Sequence, residues 1–188
     1  MSLRRAEIER SYFHLAGNPQ VMASLEYLSE LIIEFAPPHA PDTKLIRMVR
    51  ACLEAISAQP VLLPKIICYF EFWVLKLSGV LSPPDRCAIC GVNFAAAKHR
   101  ARACVSRDGA FKCHDCRGYD GLVVSGKALE RLIAMQVMAP VTWSEAGDRD
   151  GLNEVGLEVS KILKRNIANA LDRTPRGQAE TFAHIHPA

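Results

Sequence analysis

The sequence predicts a mainly α-helical domain with a four-cysteine, zinc-ribbon-like finger inserted into it. Three observations carry that expectation. Apolar residues recur at helical spacing through the first eighty residues and again after Ser125. Between these parts, from Cys87 to Gly121, no helical period is sustained and turn residues dominate. That middle stretch also holds two Cys-x-x-Cys pairs. The expected division is 1–81 for the first helical part, 82–122 for the finger, 123–173 for the second helical part and 174–188 for a flexible tail. The helices before and after the insert have single apolar faces, which most simply share one core.

Taken in order, Ala6 to Leu15 reads as a short helix ending at Gly17. Asn18-Pro19 is a helix start, a capping side chain followed by proline at the first helical position. That helix runs to Phe35 with Val21, Leu25, Leu28, Ile32 and Phe35 on one face. Asp42 or Thr43 caps the next, in which Leu45, Val49, Cys52 and Ile56 repeat the spacing and Lys44, Arg47 and Arg50 lie on another side. The stretch from Pro60 to Leu77 is apolar nearly all round, the mark of a central helix, and Ser78-Gly79 ends it. Asp108-Gly109 reads as a hairpin turn. After Ser125, Leu129, Leu132, Ile133 and Val137 form a face that ends before Pro140. A polar stretch from Ser144 to Gly151 follows. The last helix carries Leu152, Val155, Val159, Leu163, Ile167 and Ala170 on one side.

The chain has 188 residues and is 49% hydrophobic, enough for one ordinary domain with a small insert, and wholesale disorder is excluded. A net charge of +3 is mild, so any nucleic-acid reading must rest on where the charges sit. No membrane span is expected. The most apolar segment, Val61 to Leu77, carries Pro64, Lys65, Glu71 and Lys76. The stretch from Met1 to Glu7 lacks the apolar run of a signal peptide. Seven cysteines therefore read as metal ligands or buried thiols rather than disulfides.

Cys87, Cys90, Cys113 and Cys116 form two knuckles separated by 22 residues. Four thiolates fill a tetrahedron around zinc and leave no position for substrate or water. The expected ion is one structural Zn²⁺, which folds a segment too small to hold its own core. Cys104, His99 and His114 are read as neighbours, and Cys52 and Cys68 as buried thiols. From Arg86 to Arg117 there are seven basic and two acidic residues, and the excess survives the net negative charge of a zinc–thiolate centre. Lys98, Arg100 and Arg102 alternate; with Arg107, Lys112 and Arg117 they contact phosphates, form a solvated loop or donate to the thiolates. Lys161, Lys164 and Arg165 make a second basic cluster, and Lys44, Arg47 and Arg50 a third. No P-loop, dinucleotide fingerprint, metalloprotease motif or nucleophile elbow is present, so nothing argues for an enzyme.

Tyr69-Phe70-Glu71-Phe72-Trp73-Val74-Leu75-Lys76-Leu77-Ser78-Gly79 leads into Leu81-Ser82-Pro83-Pro84-Asp85-Arg86 and the Cys87-Ala88-Ile89-Cys90-Gly91 knuckle. This order resembles the C-terminal part of the RecO recombination-mediator family. Glu26-Tyr27-Leu28-Ser29-Glu30-Leu31 is similar to that family's "YLxEL" helix. The resemblance runs from about Glu9 to about Leu171. It implies a non-enzymatic role in the RecF pathway of recombinational repair, in the cytoplasm and associated with the nucleoid. It also implies single-stranded DNA, the single-strand-binding protein and RecR as partners. The family begins with an oligonucleotide-binding β-barrel, for which the sequence shows no segment, so single-strand binding is expected to be weak. The helical part is expected to take the acidic tail of single-strand-binding protein, rimmed by Lys44, Arg47 and Arg50 or by Lys161, Lys164 and Arg165. The alternative function is a zinc-ribbon interaction or regulatory module that never touches DNA; a redox sensor using the Cys-x-x-Cys pairs is a distant third.

Overall fold

A computed structural model describes residues 7–8, 10–37, 42–94, 96, 103–118, 121–146 and 152–177. Helix α1 (Pro19–Phe35) starts where Asn18 Oδ1 accepts from the backbone N–H groups of Gln20 and Val21, with Pro19 at the first turn. Its buried face is Val21, Ser24, Tyr27, Leu28 and Leu31. Leu25, Ile32 and Phe35 are only half-buried, so the face is turned from the expected one toward Tyr27 and Leu31. Helix α2 (Thr43–Ala58) is capped by the Asp42 carboxylate. Met48, Cys52, Ala55 and Ile56 point inward, while Lys44, Arg47 and Arg50 are exposed. A single 3-10 turn, Pro60–Leu62, leads into α3 (Leu63–Leu77). Eleven of its residues are buried, including Lys65 and Glu71. It packs against α1, α2 and the later helices, which makes it the centre of the fold, as its composition requires.

The polypeptide then leaves the helices. Strands β1 (Ala103–Val105), β2 (Phe111–Lys112) and β3 (Leu122–Val124) form an antiparallel sheet in the order β2-β1-β3. Cys104 stands opposite Lys112 on one side and Val123 on the other. The expected Asp108-Gly109 turn closes the hairpin, with Gly109 at φ +78°. Helix α4 (Gly126–Met135) is capped by the Ser125 hydroxyl. The short α5 (Pro140–Glu145) follows, and then the long α6 (Glu154–Leu171), whose cap is Asn153.

The finger is not a separate unit. Phe94, Ala103, Val105, Phe111 and Val124 belong to the same buried cluster as the helices. The hairpin tip lies on the segment that leaves α3, where Ser82 donates its N–H to the Gly109 carbonyl at 3.0 Å. Asn169 of α6 donates to the Arg107 carbonyl at 3.3 Å.

Several sequence expectations change. The stretch read as a helix from Ala6 to Leu15 holds a single 3-10 turn, Phe13–Gly17, among its described residues. Val137 is exposed, because α4 ends at Met135 and the chain turns there. Ala170 is likewise exposed. Helix α5 and strand β3 were not expected. The segment expected to loosen at Thr174 is held as far as Gly177. Glu30 accepts from Arg173 at 2.8 Å and from the backbone N–H groups of Arg176 and Gly177 at 3.2 Å. Lys98, His99, Arg100 and Arg102 lie outside the described residues.

Candidate metal centre and docking groove

The two knuckles are built by opposite ends of the finger. Gly91, at φ +72°, lets the first turn back on itself, and its N–H donates to the Cys87 carbonyl at 2.9 Å. Cys116 donates its N–H to the Cys113 carbonyl at 3.1 Å in the second. Ala88 donates to the Phe111 carbonyl at 2.7 Å, which ties the first knuckle to β2. The result brings the Sγ atoms of Cys87, Cys90, Cys113 and Cys116 within 4.8 Å of one another. Cys90 Sγ and Cys113 Sγ are 3.8 Å apart. Zn–S bonds of about 2.3 Å in a tetrahedron place sulfurs about 3.8 Å apart, so the quartet fits such an ion.

The electrostatics point the same way. Burial pushes the Cys87 thiol up, but backbone N–H groups of Cys90, Cys113 and Ile89 outweigh it and bring it down to about 6. Cys113 N–H donates to Cys87 Sγ at 3.4 Å. Cys116 is pushed up to about 12, because its thiol is hydrogen-bonded to Cys113 and Cys90. Without a cation the cluster therefore keeps protons that a divalent ion would displace. Cys104 is buried, donates to the Lys112 carbonyl at 3.6 Å, and lies outside the quartet. Cys52 and Cys68 are buried in helices with burial raising both thiols.

The candidate basic residues are placed unequally. Arg107 and Arg117 are exposed on the finger and Lys112 is half-buried on β2. On α6, Lys161 is exposed, but Lys164 is half-buried and close enough to Glu71 to feel its charge. Arg165 is half-buried. Lys161, Lys164 and Arg165 therefore do not share one outward face.

Lys44, Arg47 and Arg50 do converge on a feature. They line a groove of about 910 Å³ between α2, α3 and the start of α5. Its apolar wall is Tyr69 and Trp73 of α3. Tyr69 donates its hydroxyl to the Met138 carbonyl at 2.8 Å, and Trp73 Nε1 donates to Met135 at 3.2 Å. Lys76 is a fourth cation in the lining, its Nζ 4.7 Å from the Trp73 ring centroid. Glu54, the acidic residue in the lining, is paired with Arg10. Sequence reading missed Tyr69, Trp73 and Lys76. The available signal was two aromatics one turn apart, followed by a lysine three residues on.

Behind the groove is a buried polar contact. Tyr27 of α1 donates its hydroxyl to Glu71 Oε1 at 2.7 Å. Burial raises the Glu71 carboxyl to about 7, against the pull of Lys164 and the Tyr27 hydrogen bond.

No helix among the described residues is long and apolar enough to cross a membrane. Residues 17–179 match the model of the family described as "Recombination protein O C terminal". The chain is 30% identical over 174 residues to the "DNA repair protein RecO" of Geobacter metallireducens, covering 91% of this chain and 68% of that one. It is 20% identical over 178 residues to the protein of the same name from Alkaliphilus metalliredigens, covering 92% and 68%. It is 30% identical over 116 residues to the one from Anaeromyxobacter sp. strain K, covering 62% and 44%. No solved structure matches the chain.

Proposed function

The chain belongs to the Recombination protein O C-terminal family, and from that premise we propose that it serves DNA repair as a binding protein, without bond-breaking chemistry of its own. The observation that carries the reading is the family match over 17–179, joined to a groove suited to a partner. Cys87, Cys90, Cys113 and Cys116 would hold one zinc ion, which supplies a cross-link between the two ends of the finger. All four positions around it are protein sulfurs, so its part is structural.

The partner site is the groove along α2 and α3. The acidic tail of single-strand-binding protein needs an apolar wall for an aromatic side chain and cations for carboxylates. Tyr69 and Trp73 offer the first; Lys44, Arg47, Arg50 and Lys76 offer the second. This favours the α2 cluster over Lys161, Lys164 and Arg165 as the rim. Arg107, Lys112 and Arg117 on the finger would contact single-stranded DNA phosphates weakly and without sequence preference. RecR is the further partner, and the cytoplasmic nucleoid the place of action.

A fluorescent acidic tail peptide tests this. It should bind the zinc-loaded chain in the micromolar range and be released by salt. Arg47→Glu should weaken it by about 1–3 kcal/mol, while Lys161→Glu leaves it unchanged. Absence of saturable binding at low salt would remove the peptide site. Peptide binding with no salt-sensitive DNA binding would instead support the interaction-module reading.

A further inference from the structure

A second pocket, of about 480 Å³, opens between α3, α4, α5 and the start of α6. It shares no lining residue with the α2–α3 groove. Three cations line it at different depths. Lys127 is exposed, Arg131 lies one turn further along the same face of α4 and is half-buried, and Lys65 of α3 is 4% exposed.

Arg131 is the informative one. Its guanidinium lies 4.1 Å from the centroid of the Trp143 ring. It donates one N–H to the Trp143 carbonyl at 2.8 Å, and Trp143 Nε1 donates back to the Arg131 carbonyl at 3.0 Å. The charge is thus fixed in place by a ring and the backbone, not by an acid. Among the described residues no carboxylate pairs with it. Lys65 Nζ donates to the Ser144 carbonyl at 3.2 Å on the inner wall. Asn153 and Gly156 bring the positive end of the 18-residue α6 to the opposite wall. Glu130 is the single acidic residue among the described lining residues.

The Arg131 guanidinium and the exposed Lys127 ammonium offer more N–H donors than one carboxylate would use; Lys65 is engaged with the Ser144 carbonyl, and the first turn of α6 adds its dipole with the Gly156 N–H held by Asn153 Oδ1. They match the several oxygens of a phosphate. The volume falls within the range of small-ligand pockets. We propose that this pocket binds a phosphate group carried on a nucleotide-sized body, with Arg131 and Lys127 as its main contacts. The source is a free nucleotide or one unit of a single strand, and the same chemistry serves both. The inference rests on this pocket and not on the DNA-repair reading.

The test uses the ¹⁵N-labelled, metal-loaded chain at low salt, with thymidine monophosphate, thymidine and a fifteen-residue oligothymidylate as probes. Thymidine monophosphate should shift the amide signals of Lys127–Arg131 and Asn153–Gly156 saturably, and thymidine should not. Lys127→Glu, an exposed change, should weaken binding at least ten-fold with the melting temperature unchanged. Arg131→Lys, which keeps the charge but loses the fork, should weaken it as well. Competition by the oligonucleotide at the same signals identifies the strand as the source; binding of the mononucleotide alone identifies the free nucleotide. If neither the mononucleotide nor the oligonucleotide moves these signals, or if Lys127→Glu leaves the shifts as they were, the proposal is overturned.

Discussion

The helical bundle and the finger are held together by different means. In the bundle, α3 buries Phe70, Phe72, Ile66, Ile67 and Leu75 at 1% exposure or less, with helices on several sides of it. That is a hydrophobic core in the ordinary sense, with large side chains supplying the drive. The finger has three strands of two or three residues. Strands that short cannot stand alone, and their few inward side chains lean on the bundle. What it has besides is a quartet of cysteines close enough to hold a metal ion. One region has an ordinary core of its own, the other little core and a candidate cross-link. The seam between them holds the shared core and the hydrogen bonds at Gly109–Ser82 and Arg107–Asn169.

The largest test of this contrast is to remove the metal. Cys87→Ser with Cys113→Ser, or a strong chelator, should leave the purified chain without its zinc equivalent. Metal analysis measures that directly. Amide signals of β1 and β2 should collapse toward unfolded positions while those of α1 to α3 persist. Because Phe111 and Val105 are part of the shared core, the bundle should also melt several degrees lower. Intact finger signals in the serine variant would show that the metal is not what folds it.

The reverse test starts in the bundle. Phe72 is 0% exposed on α3. Phe72→Ala should cost about 3–5 kcal/mol. Cobalt in place of zinc gives the finger its own thiolate absorbance, while Trp73 and Trp143 report the bundle. With a shared core, both signals should move to lower urea together. If the cobalt curve stays put while the tryptophan curve shifts, the finger is independent and the seam carries no coupling.

The same division marks what could be read from sequence. Caps and long apolar periods belong to the bundle: Asn18 caps where expected, Asp42 is the one of its two candidates that caps, and Ser125, where helical signals resume, caps the helix that follows it. The knuckles were legible because metal chemistry demands a fixed spacing. What escaped were short elements and inward polar groups. Six-residue α5 is too brief to show a period; its sign was Pro140 at the first turn. Strand β3 is three residues long, and its pairing with β1 is made across the fold rather than along the chain. The face of α1 turned toward Tyr27 because its hydroxyl meets Glu71 on α3, a partner 44 residues away. Lys164 looked like a surface charge for the same reason: its neighbour is not local.

That buried pair gives a pH test of the bundle alone. Burial lifts the Glu71 carboxyl from its ordinary 4.5 to about 7. The folded state thus holds a proton that the unfolded chain releases at lower pH. The Glu71 contribution to stability is greatest below 4.5, falls as pH rises through 4.5 to 7, and is level above that. Glu71→Gln keeps an oxygen for Tyr27 and removes the titration. Above pH 7 the variant should be more stable than wild type by on the order of 2–3 kcal/mol, and below pH 4.5 the two should converge. Urea midpoints from pH 4 to 8 measure this. The difference between wild type and variant isolates Glu71 from Glu30, Asp85 and Asp108, whose lowered carboxyls act in the opposite sense; a difference that stays constant across that window would mean Glu71 is ionised at no cost.

The smallest expected effect falls on the seam itself. Gly109 sits at φ +78°, and a Cβ built there would lie 2.0 Å from the Val80 carbonyl oxygen. Gly79 has nearly the same backbone, φ +77°, but open space where its Cβ would be. Gly79→Ala therefore reports left-handed strain alone, about 1 kcal/mol. Gly109→Ala adds a clash with backbone that cannot yield by rotating a side chain. The hairpin tip must lift off the Val80–Ser82 segment that follows α3 and give up the bond from Ser82 N–H to the Gly109 carbonyl. The expected cost is about 1–3 kcal/mol, and it should fall mainly on the finger. In the cobalt-loaded protein the thiolate curve should shift to lower urea and part from the tryptophan curve, while Gly79→Ala keeps the two coincident. If Gly109→Ala moves both curves equally, the regions are joined through Phe94, Phe111 and their neighbours rather than through the tip. The shared core, not the docked hairpin, would then be what couples metal to helices.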